Sequence, residues 1–180
     1  MLTVAPPTAF GFLGNNPAAI TIQGSRLRVN DGKTLSVVGG DMTMAGGSLQ
    51  APCGRLQLAS VTSPGEAMFS RLELAPDLQV DSFARLGRME LSKNALLDVS
   101  GNGSGTVLIR TGGLLVDQSQ IFATTLGDVD GAKMGINLRL AEDISVDNSV
   151  ILTGSAGRGN VGEIRAEAGT LTLREGRCDR

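Results

Sequence analysis

Residues 20–58, ITIQGSRLRVNDGKTLSVVGGDMTMAGGSLQAPCGRLQL, determine the fold class. Apolar residues recur there in pairs spaced i, i+2, which is the pattern of one buried face of a β-strand. The pairs are Ile20/Ile22, Leu27/Val29, Leu35/Val37, Met42/Met44, Leu49/Ala51 and Leu56/Leu58. Glycines stand between the pairs, where tight turns belong, and they argue against a heptad helix of similar spacing. The segment therefore predicts short strands joined by turns.

The arrangement of apolar pairs recurs after every three pairs, so three strands make one period of the sequence. The distances that show the period are 22 residues from Ile20 to Met42, 22 from Leu27 to Leu49 and 21 from Leu35 to Leu56. Periods of 20 to 50 residues are typical of solenoids, and three short strands per period predict an all-β parallel β-helix. We expect three parallel sheets in which those same residues stack on one another, with about 4.8 Å between coils.

The C-terminal half repeats with a longer period. Residues 117–121, DQSQI, resemble residues 147–151, DNSVI, 30 positions later. The strand pairs predicted to correspond are Val107/Ile109 with Leu138/Leu140 and Ile164/Ala166, and Leu114/Val116 with Ile144/Val146 and Leu171/Leu173. Polar inserts at 124–131 and 155–160 supply the extra length, and we expect them to bulge outward without disturbing the neighbouring coils.

Residues 64–93 are the least regular part of the chain. At 81–89 we favour strand and turn over a short helix, because Gly87 interrupts the helical pattern and Met89/Leu91 resumes the spacing of two. The whole chain then predicts about seven coils in a rod roughly 35 Å long.

The composition excludes several classes of function. The 180 residues include 25 Gly and five Phe but no Trp, Tyr or His. Without His, Ser-His-Asp catalysis and Cys₂His₂ zinc sites are ruled out. A net charge of −2 without Trp or Tyr argues against a nucleic-acid partner. No apolar run approaches the ~18 residues of a transmembrane helix, and residues 1–7 lack the basic and apolar regions of a signal peptide.

Several segments carry a family resemblance: residues 10–14 (FGFLG), 16–20 (NPAAI), 39–61 (GGDMTMAGGSLQAPCGRLQLASV) and 97–105 (LDVSGNGSG). Their order and sequence resemble the secretion, or haemagglutination activity, domain of filamentous-haemagglutinin-like exoproteins. The resemblance implies a right-handed, pectin-lyase-like parallel β-helix. It also implies export by two-partner secretion through a dedicated outer-membrane pore. The implied role is that of a secreted or cell-surface adhesin, with host or bacterial surface glycans as candidate partners.

The resemblance also implies a domain organisation. It assigns residues 1–95 to the later part of the secretion domain and 96–180 to the following coils, within one β-helix spanning 1–180. In the family a signal peptide, a cap and the first coils precede the region at 10–14, so we expect an internal piece of such a protein, not exported by itself. We expect Phe10, Phe12 and Leu13 to plug the first coil in part, and the isolated chain to associate end to end or aggregate.

The residues predict no catalytic, cofactor-binding or metal site. Glycoside hydrolysis needs two facing carboxylates, whereas the candidates stand singly beside turns. They are Asp41, Glu73, Asp81, Glu90 and Asp98. We therefore expect a structural protein rather than an enzyme. The alternative that stays open is a β-helical carbohydrate-binding or carbohydrate-active module, a lyase or a hydrolase.

Three motifs are interpreted as structural. Residues 101–105, GNGSG, precede a predicted strand, not the helix that a phosphate loop needs. Residues 128–131, DVDG, lack most of the ligands of a calcium loop. Residues 117–119 and 147–149 predict a hydrogen-bonded ladder at one corner rather than a glycan-contact stripe.

The two cysteines, Cys53 and Cys178, are 125 residues apart. At about five coils, or ~24 Å, they lie beyond the reach of a disulfide within one chain. Cys53 stands at a predicted corner, where Gly or another small residue is expected.

Overall fold

The i, i+2 pairs form short strands throughout the chain. The computed structural model describes residues 9–69, 77–175 and 177–179. The strands of these residues, in chain order, are β1 (Ala9–Phe12), β2 (Ile20–Gln23), β3 (Arg26–Arg28), β4 (Thr34–Gly39), β5 (Met42–Ala45), β6 (Ser48–Gln50), β7 (Arg55–Ser60), β8 (Gly65–Phe69), β9 (Leu78–Gln79), β10 (Arg88–Ser92), β11 (Leu96–Asp98), β12 (Thr106–Thr111), β13 (Gly113–Asp117), β14 (Gln120–Thr125), β15 (Met134–Leu140), β16 (Asp143–Asp147), β17 (Val150–Ser155), β18 (Glu163–Glu167), β19 (Thr170–Arg174) and β20 (Arg177–Asp179).

Three parallel sheets result, and the chain visits them in turn. Sheet 1 has the order β2-β5-β10-β13-β16-β19, sheet 2 the order β3-β6-β11-β14-β17-β20, and sheet 3 the order β4-β7-β12-β15-β18. One strand from each sheet makes a coil, so the molecule is a parallel β-helix, as the sequence predicted. The predicted stacking of Ile20 on Met42, Leu27 on Leu49 and Leu35 on Leu56 is confirmed residue by residue.

The described residues make five complete coils and two strands of a sixth, fewer than the seven predicted. The difference arises because 47 residues separate the stacked Met42 and Met89, more than twice the first period. Residues 61–69 and 77–87 leave the stack there and add a separate layer instead of another coil.

Aliphatic side chains stacked in columns fill the interior. Leu56, Val107 and Ile136 form one such column, and all three are fully buried. Burying each of them stabilises the fold by roughly 1.5–3 kcal/mol relative to exposure. The core therefore lies along the axis of the rod, and side chains that point away from it are available for other roles.

The corner between sheets 1 and 2 has a left-handed backbone in every described coil. The positive-φ residues there are Gly24, Gly46, Gly47, Lys93, Asn94, Gln118, Asn148 and Glu175. The Ser119 N–H donates to Ser149 Oγ at 2.9 Å, and the Ala95 N–H donates to Ser119 Oγ at 3.2 Å. The predicted corner ladder is therefore present, and its hydrogen bonds offset the cost of a left-handed conformation in non-glycine residues.

Residues 81–89 contain no helix, as predicted: a turn at 81–87 leads into β10. The expected plug at the first coil is wrong. β1 instead pairs antiparallel with β8, and β8 with β9, in a three-stranded layer that we call the side sheet. Phe12 packs in that layer, on the flank of the rod, and Leu13 is 98% exposed.

Two further details correct the sequence analysis. Val107 and Ile109 stack on Ile136 and Leu138, not on Leu138 and Leu140. A shift of two residues keeps the same side chains inside, so the alternating pattern did not distinguish the two registers. The predicted inserts begin too early, because residues 124 and 125 belong to β14 and residue 155 to β17. The rest of each insert lies outside the strands and is bonded to the neighbouring coil: the Gly127 N–H donates to Asn102 O, and the Gly159 N–H donates to Gly127 O.

Candidate functional site

The outer face of sheet 3 is apolar and is covered by the side sheet. Most outward positions on a solvent-facing strand are polar, yet Val38, Ala59 and Leu108 point away from the core and contact the side sheet. Phe83 and Leu78 of the covering layer are buried against them. This second apolar cluster attaches the side sheet to the rod.

Arg110 is the polar anchor of that attachment. Its side chain, on β12, is only 1% exposed. Its Nε–H donates to Leu78 O at 3.0 Å, and its Nη1–H donates to Asn137 Oδ1 at 3.0 Å and to Ile109 O at 2.9 Å. Its Nη2–H donates to Asp77 Oδ1 at 3.2 Å, an ion pair with a partly exposed partner.

Burial lowers the pKa of Arg110 below its ordinary value, and the hydrogen bond with Asp77 opposes this effect. A guanidinium nevertheless stays charged at any pH at which the protein is folded. Arg110 thus joins the side sheet to the third and fourth coils, through β12 and β15, by hydrogen bonds that a hydrophobic side chain cannot make.

A shallow groove runs across the outer face of sheet 1, lined by Asp41, Thr43, Arg88, Glu90, Leu115, Asp143 and Ser145 among others. The Arg88 guanidinium lies 3.1 Å from a Glu142 carboxylate oxygen and 3.9 Å from Asp143. The Arg88 backbone N–H donates to Asp41 Oδ1 at 2.8 Å. We call this surface the sheet 1 groove.

The predicted isolation of the carboxylates holds only in part. Asp41 and Glu90 both line the sheet 1 groove. Asp81 pairs with Arg139 at 3.6 Å on the other side of the rod, and Asp98 accepts the Ser100 N–H at 2.8 Å in a turn. Glu73 lies outside the described residues. Among the described residues, no cluster of three or more His, Cys, Asp or Glu side chains is arranged to hold a metal ion.

A second cleft lies between residues 80–86 and the end of β15, with Val80, Phe83 and Leu140 among its apolar lining. Arg139 and Asp81 stand at its edge, and Arg139 also lies 3.8 Å from Glu167. Cations and carboxylates there neutralise one another, so this cleft has no single-sign field that would select a ligand.

The glycine-rich motif at 101–105 and the acidic motif at 128–131 are turns, as predicted. Residues 101–105 lead into the strand β12. Asp130 accepts hydrogen bonds from the Asn160 backbone N–H at 2.8 Å and from its side-chain amide at 3.0 Å. These bonds lower the pKa of Asp130. Its carboxylate therefore ties two inserts together, which is a structural role.

Both cysteines are free thiols. Cys53 occupies the corner between β6 and β7 with φ of 53°, as the sequence suggested. Cys178 lies in β20 and stacks on Ile151, in the column that contains Leu27 and Leu49. They are four coils apart, one fewer than expected, and about 19 Å still exceeds the reach of a disulfide.

Sequence reasoning missed Arg110, although a signal was present. In β12 the run Val107-Leu108-Ile109 is apolar at outward as well as inward positions, which indicates a strand covered on both faces. A charged residue next in such a strand has to find partners in the covering layer.

No helix of the described residues is long and apolar enough to cross a membrane. Comparisons with models of known protein families, with curated proteins and with solved structures find no match.

Proposed function

We propose that this chain is a structural and adhesive segment of a secreted or cell-surface exoprotein of the filamentous-haemagglutinin type, exported by two-partner secretion and without catalysis. The observation that supports the proposal most directly is the fold of residues 39–61, the longest segment of the family resemblance. These residues supply the strands β5, β6 and β7, which make one complete coil of the β-helix.

The fold suits passage through a pore in an extended state. Each coil pairs only with the coils beside it, so folding can propagate from one coil to the next as a chain emerges. The described residues use neither a disulfide nor a metal cluster to hold the coils together.

The polar side chains at the corners support a structural role. Ser119 and Ser149 are buried and bond to backbone groups of neighbouring coils. Asp41 and Asp98 accept backbone N–H groups. These groups maintain the coil stack, so the outward-facing side chains remain for adhesion.

Export can be tested directly in a Gram-negative host. The chain is fused behind the signal peptide, cap and first coils of a filamentous-haemagglutinin-like exoprotein and expressed with or without the matching outer-membrane pore. We expect the fusion in the medium only when the pore is present. A matched control carries residues 39–61 in scrambled order and should remain inside the cell. Equal release without the pore, or equal export of the scrambled chain, would contradict the proposal.

The sheet 1 groove favours a second candidate, a β-helical carbohydrate-binding or carbohydrate-active module. Its carboxylates and Arg88 are the groups that hydrogen-bond sugar hydroxyls. We expect no turnover of plant or bacterial polysaccharides, measured as release of reducing ends. Turnover that disappears in Glu90→Gln, a change within the groove, would establish this candidate in place of the first.

A further inference from the structure

The turn that leads into β12 contains Asn102 and Gly103, and no other asparagine in the sequence is followed by glycine. An asparagine side chain can react with the backbone nitrogen of the next residue, because attack on its Cγ closes a five-membered ring. Glycine has no Cβ to obstruct that approach, and its backbone adopts the required geometry readily. The hydrogen bonds of the two reacting groups decide whether the ring can form in the folded chain.

The backbone nitrogen of Gly103 is available to react. On one side of it, the Gly101 N–H donates to Thr124 O at 3.1 Å. On the other side, the Ser104 N–H donates to Thr125 Oγ1 at 3.4 Å. The Gly103 N–H donates to none of the described residues. Its deprotonation therefore breaks no hydrogen bond of this part of the fold.

The side-chain amide of Asn102 is available as well. Asn102 is exposed, and its amide makes no hydrogen bond within the part of the chain that the structure describes. Two other asparagines differ in this respect. Asn137 Oδ1 accepts a hydrogen bond from Arg110 at 3.0 Å. Asn160 Nδ2 donates to Asp130 Oδ1 at 3.0 Å. Their amides are held in place, whereas the amide of Asn102 can turn towards the nitrogen that follows it.

We propose that Asn102 is a modification site, at which the folded chain deamidates without an enzyme and so loosens the insert that packs on it. The Gly103 nitrogen attacks Asn102 Cγ and forms a new carbon–nitrogen bond, and the side-chain nitrogen leaves as ammonia with the proton of the Gly103 N–H. Water then opens the succinimide ring at either of its carbonyl groups, which leaves aspartate or isoaspartate at position 102. The proposal depends only on this turn, so it is independent of the proposed function.

The modification changes a contact between two coils. Asn102 O accepts the Gly127 N–H at 3.1 Å, and a Cβ added to Gly127 would overlap Asn102 Oδ1. In isoaspartate the main chain runs through the former side chain and gains a carbon atom, which displaces this rung of the ladder. Both products also add a negative charge beside the insert that carries Asp128 and Asp130. We therefore expect the insert at 126–133 to loosen as isoaspartate accumulates.

The conversion is measured on the folded, unmodified chain at mildly alkaline pH, in parallel with the chain unfolded in urea. Cleavage after Lys93 and Arg110 gives one peptide that contains both Asn94 and Asn102. Mass spectrometry of this peptide locates the replacement of nitrogen by oxygen. Digestion in water enriched in heavy oxygen labels any conversion that occurs during the digestion itself.

Asn94 is the internal control, because the N–H that follows it, that of Ala95, donates to Ser92 O at 3.2 Å. We expect Asn102 to be the first asparagine of the folded chain to convert, while Asn94 stays intact. The rate should rise with pH, since the attacking nitrogen has to lose its proton. Conversion of Asn102 only in urea, or after another asparagine of the folded chain, would overturn the proposal.

Two variants test the loosening of the insert. Asn102→Gln keeps an amide but needs a larger ring, so conversion at this position should stop, and the aged variant controls for other changes during incubation. Freshly prepared Asn102→Asp supplies the charge without the extra backbone atom. Hydrogen exchange at the Gly127 amide should be faster in the aged, isoaspartate-containing chain than in either variant. Equal exchange in all three would refute the loosening.

Discussion

Replacing Arg110 by methionine should detach the side sheet from the rod. The substitution keeps an aliphatic side chain of similar length but removes every donor of the guanidinium. The carbonyl oxygen of Leu78 and the side-chain oxygen of Asn137 then lose partners at 3.0 Å, and Asp77 loses one at 3.2 Å. These acceptors remain in or beside a buried interface where water does not replace the guanidinium.

The expected cost follows from that burial. Removing one partner of a buried charged network costs about 3–5 kcal/mol. A domain of this kind has a total unfolding free energy of about 5–15 kcal/mol, so the variant loses a large fraction of its stability. Asp77 is partly exposed, so Asp77→Asn should cost less, about 1 kcal/mol.

Arg139→Met is the matched control. Arg139 stacks directly beside Arg110 in the next coil but is 41% exposed, with ion pairs at 3.6 and 3.8 Å. Exposed pairs of this kind contribute about 0–1 kcal/mol. The two substitutions therefore make the same chemical change in one column and differ mainly in burial.

The chain has no Trp or Tyr, so urea unfolding is followed by circular dichroism. Limited proteolysis with mass spectrometry then locates the loosened region. We expect a lower midpoint for Arg110→Met, with new cleavage between residues 65 and 87. The reasoning fails if Arg110→Met and Arg139→Met unfold within about 1 kcal/mol of each other, or if the new cleavage maps to the coils instead.

Three further predictions concern single residues. Gly54→Ala should destabilise by about 1–3 kcal/mol, because its Cβ would overlap a backbone carbonyl of the neighbouring coil. Gly154→Ala should be nearly neutral in the same urea titration, because the nearest atom to its Cβ would be Leu152 Cδ1 at 3.9 Å, an ordinary contact. Thr153→Val should increase the free energy of unfolding by about 1 kcal/mol, because this buried hydroxyl has no hydrogen-bond partner among the described residues. The melting temperature should therefore rise, and a lower one would contradict this. Hydrogen bonds from Asn160 lower the pKa of Asp130 from its ordinary value, so the contribution of these bonds is present above the unfolded-state pKa and lost as pH falls through the lowered one. Protection of the Asn160 amide from hydrogen exchange should follow that course, and protection that is lost already near pH 5 would refute it.

The strand columns were predictable because two local signals agree. Ile20, Leu27 and Leu35 lie in pairs spaced by two, and glycines at the corners set the length of each period. In a stack of parallel coils these local signals determine the long-range pairing, since each strand pairs with the equivalent strand of the next coil. The register failed only at Leu138 and Leu140, where a longer insert lets the strand shift by two without exposing its core face.

The side sheet was not predictable from periodicity, because it is antiparallel and its strands are short. Its composition held the missing information. Three of the five phenylalanines, Phe10, Phe12 and Phe69, lie in the side sheet, and a fourth, Phe83, packs against it. They form the pairs Phe10–Phe69 and Phe12–Phe83, at centroid distances of 5.4 and 6.0 Å. Aromatic side chains are wide for the narrow core of the rod, so phenylalanines outside the aliphatic pattern indicate a second apolar layer. The expectation of a plug named Phe10 and Phe12 but placed them at the wrong surface, and it included Leu13, which is exposed.

The candidate site was harder to predict because residues from different coils form it. Asp41 and Glu90 are 49 positions apart, and residues 61–69 and 77–87, which leave the stack, lie between them in the sequence. They come together because β5 and β10 are adjacent in sheet 1, with Thr43 directly beside Glu90. An analysis that considers each carboxylate only within its own turn of the sequence cannot show that the two lie on adjacent strands. In a solenoid, the residues that share a surface are set by the stacking register, so the length of every excursion has to be known first.

The corner between sheets 2 and 3 shows how this fold accommodates variation in surface residues. That corner is a short turn at Cys53 in the second coil, and it lengthens to the inserts 126–133 and 156–162 in the fourth and fifth. The stack is not interrupted, because the inserts continue the coil-to-coil ladder themselves, through backbone bonds and through the carboxylate of Asp130. Loop length can therefore change at this corner while the core columns keep their register. If the chain acts in adhesion, this corner is where we expect the variable contacts. The hydrogen bonds between successive inserts explain why such contacts need not be supported by the core.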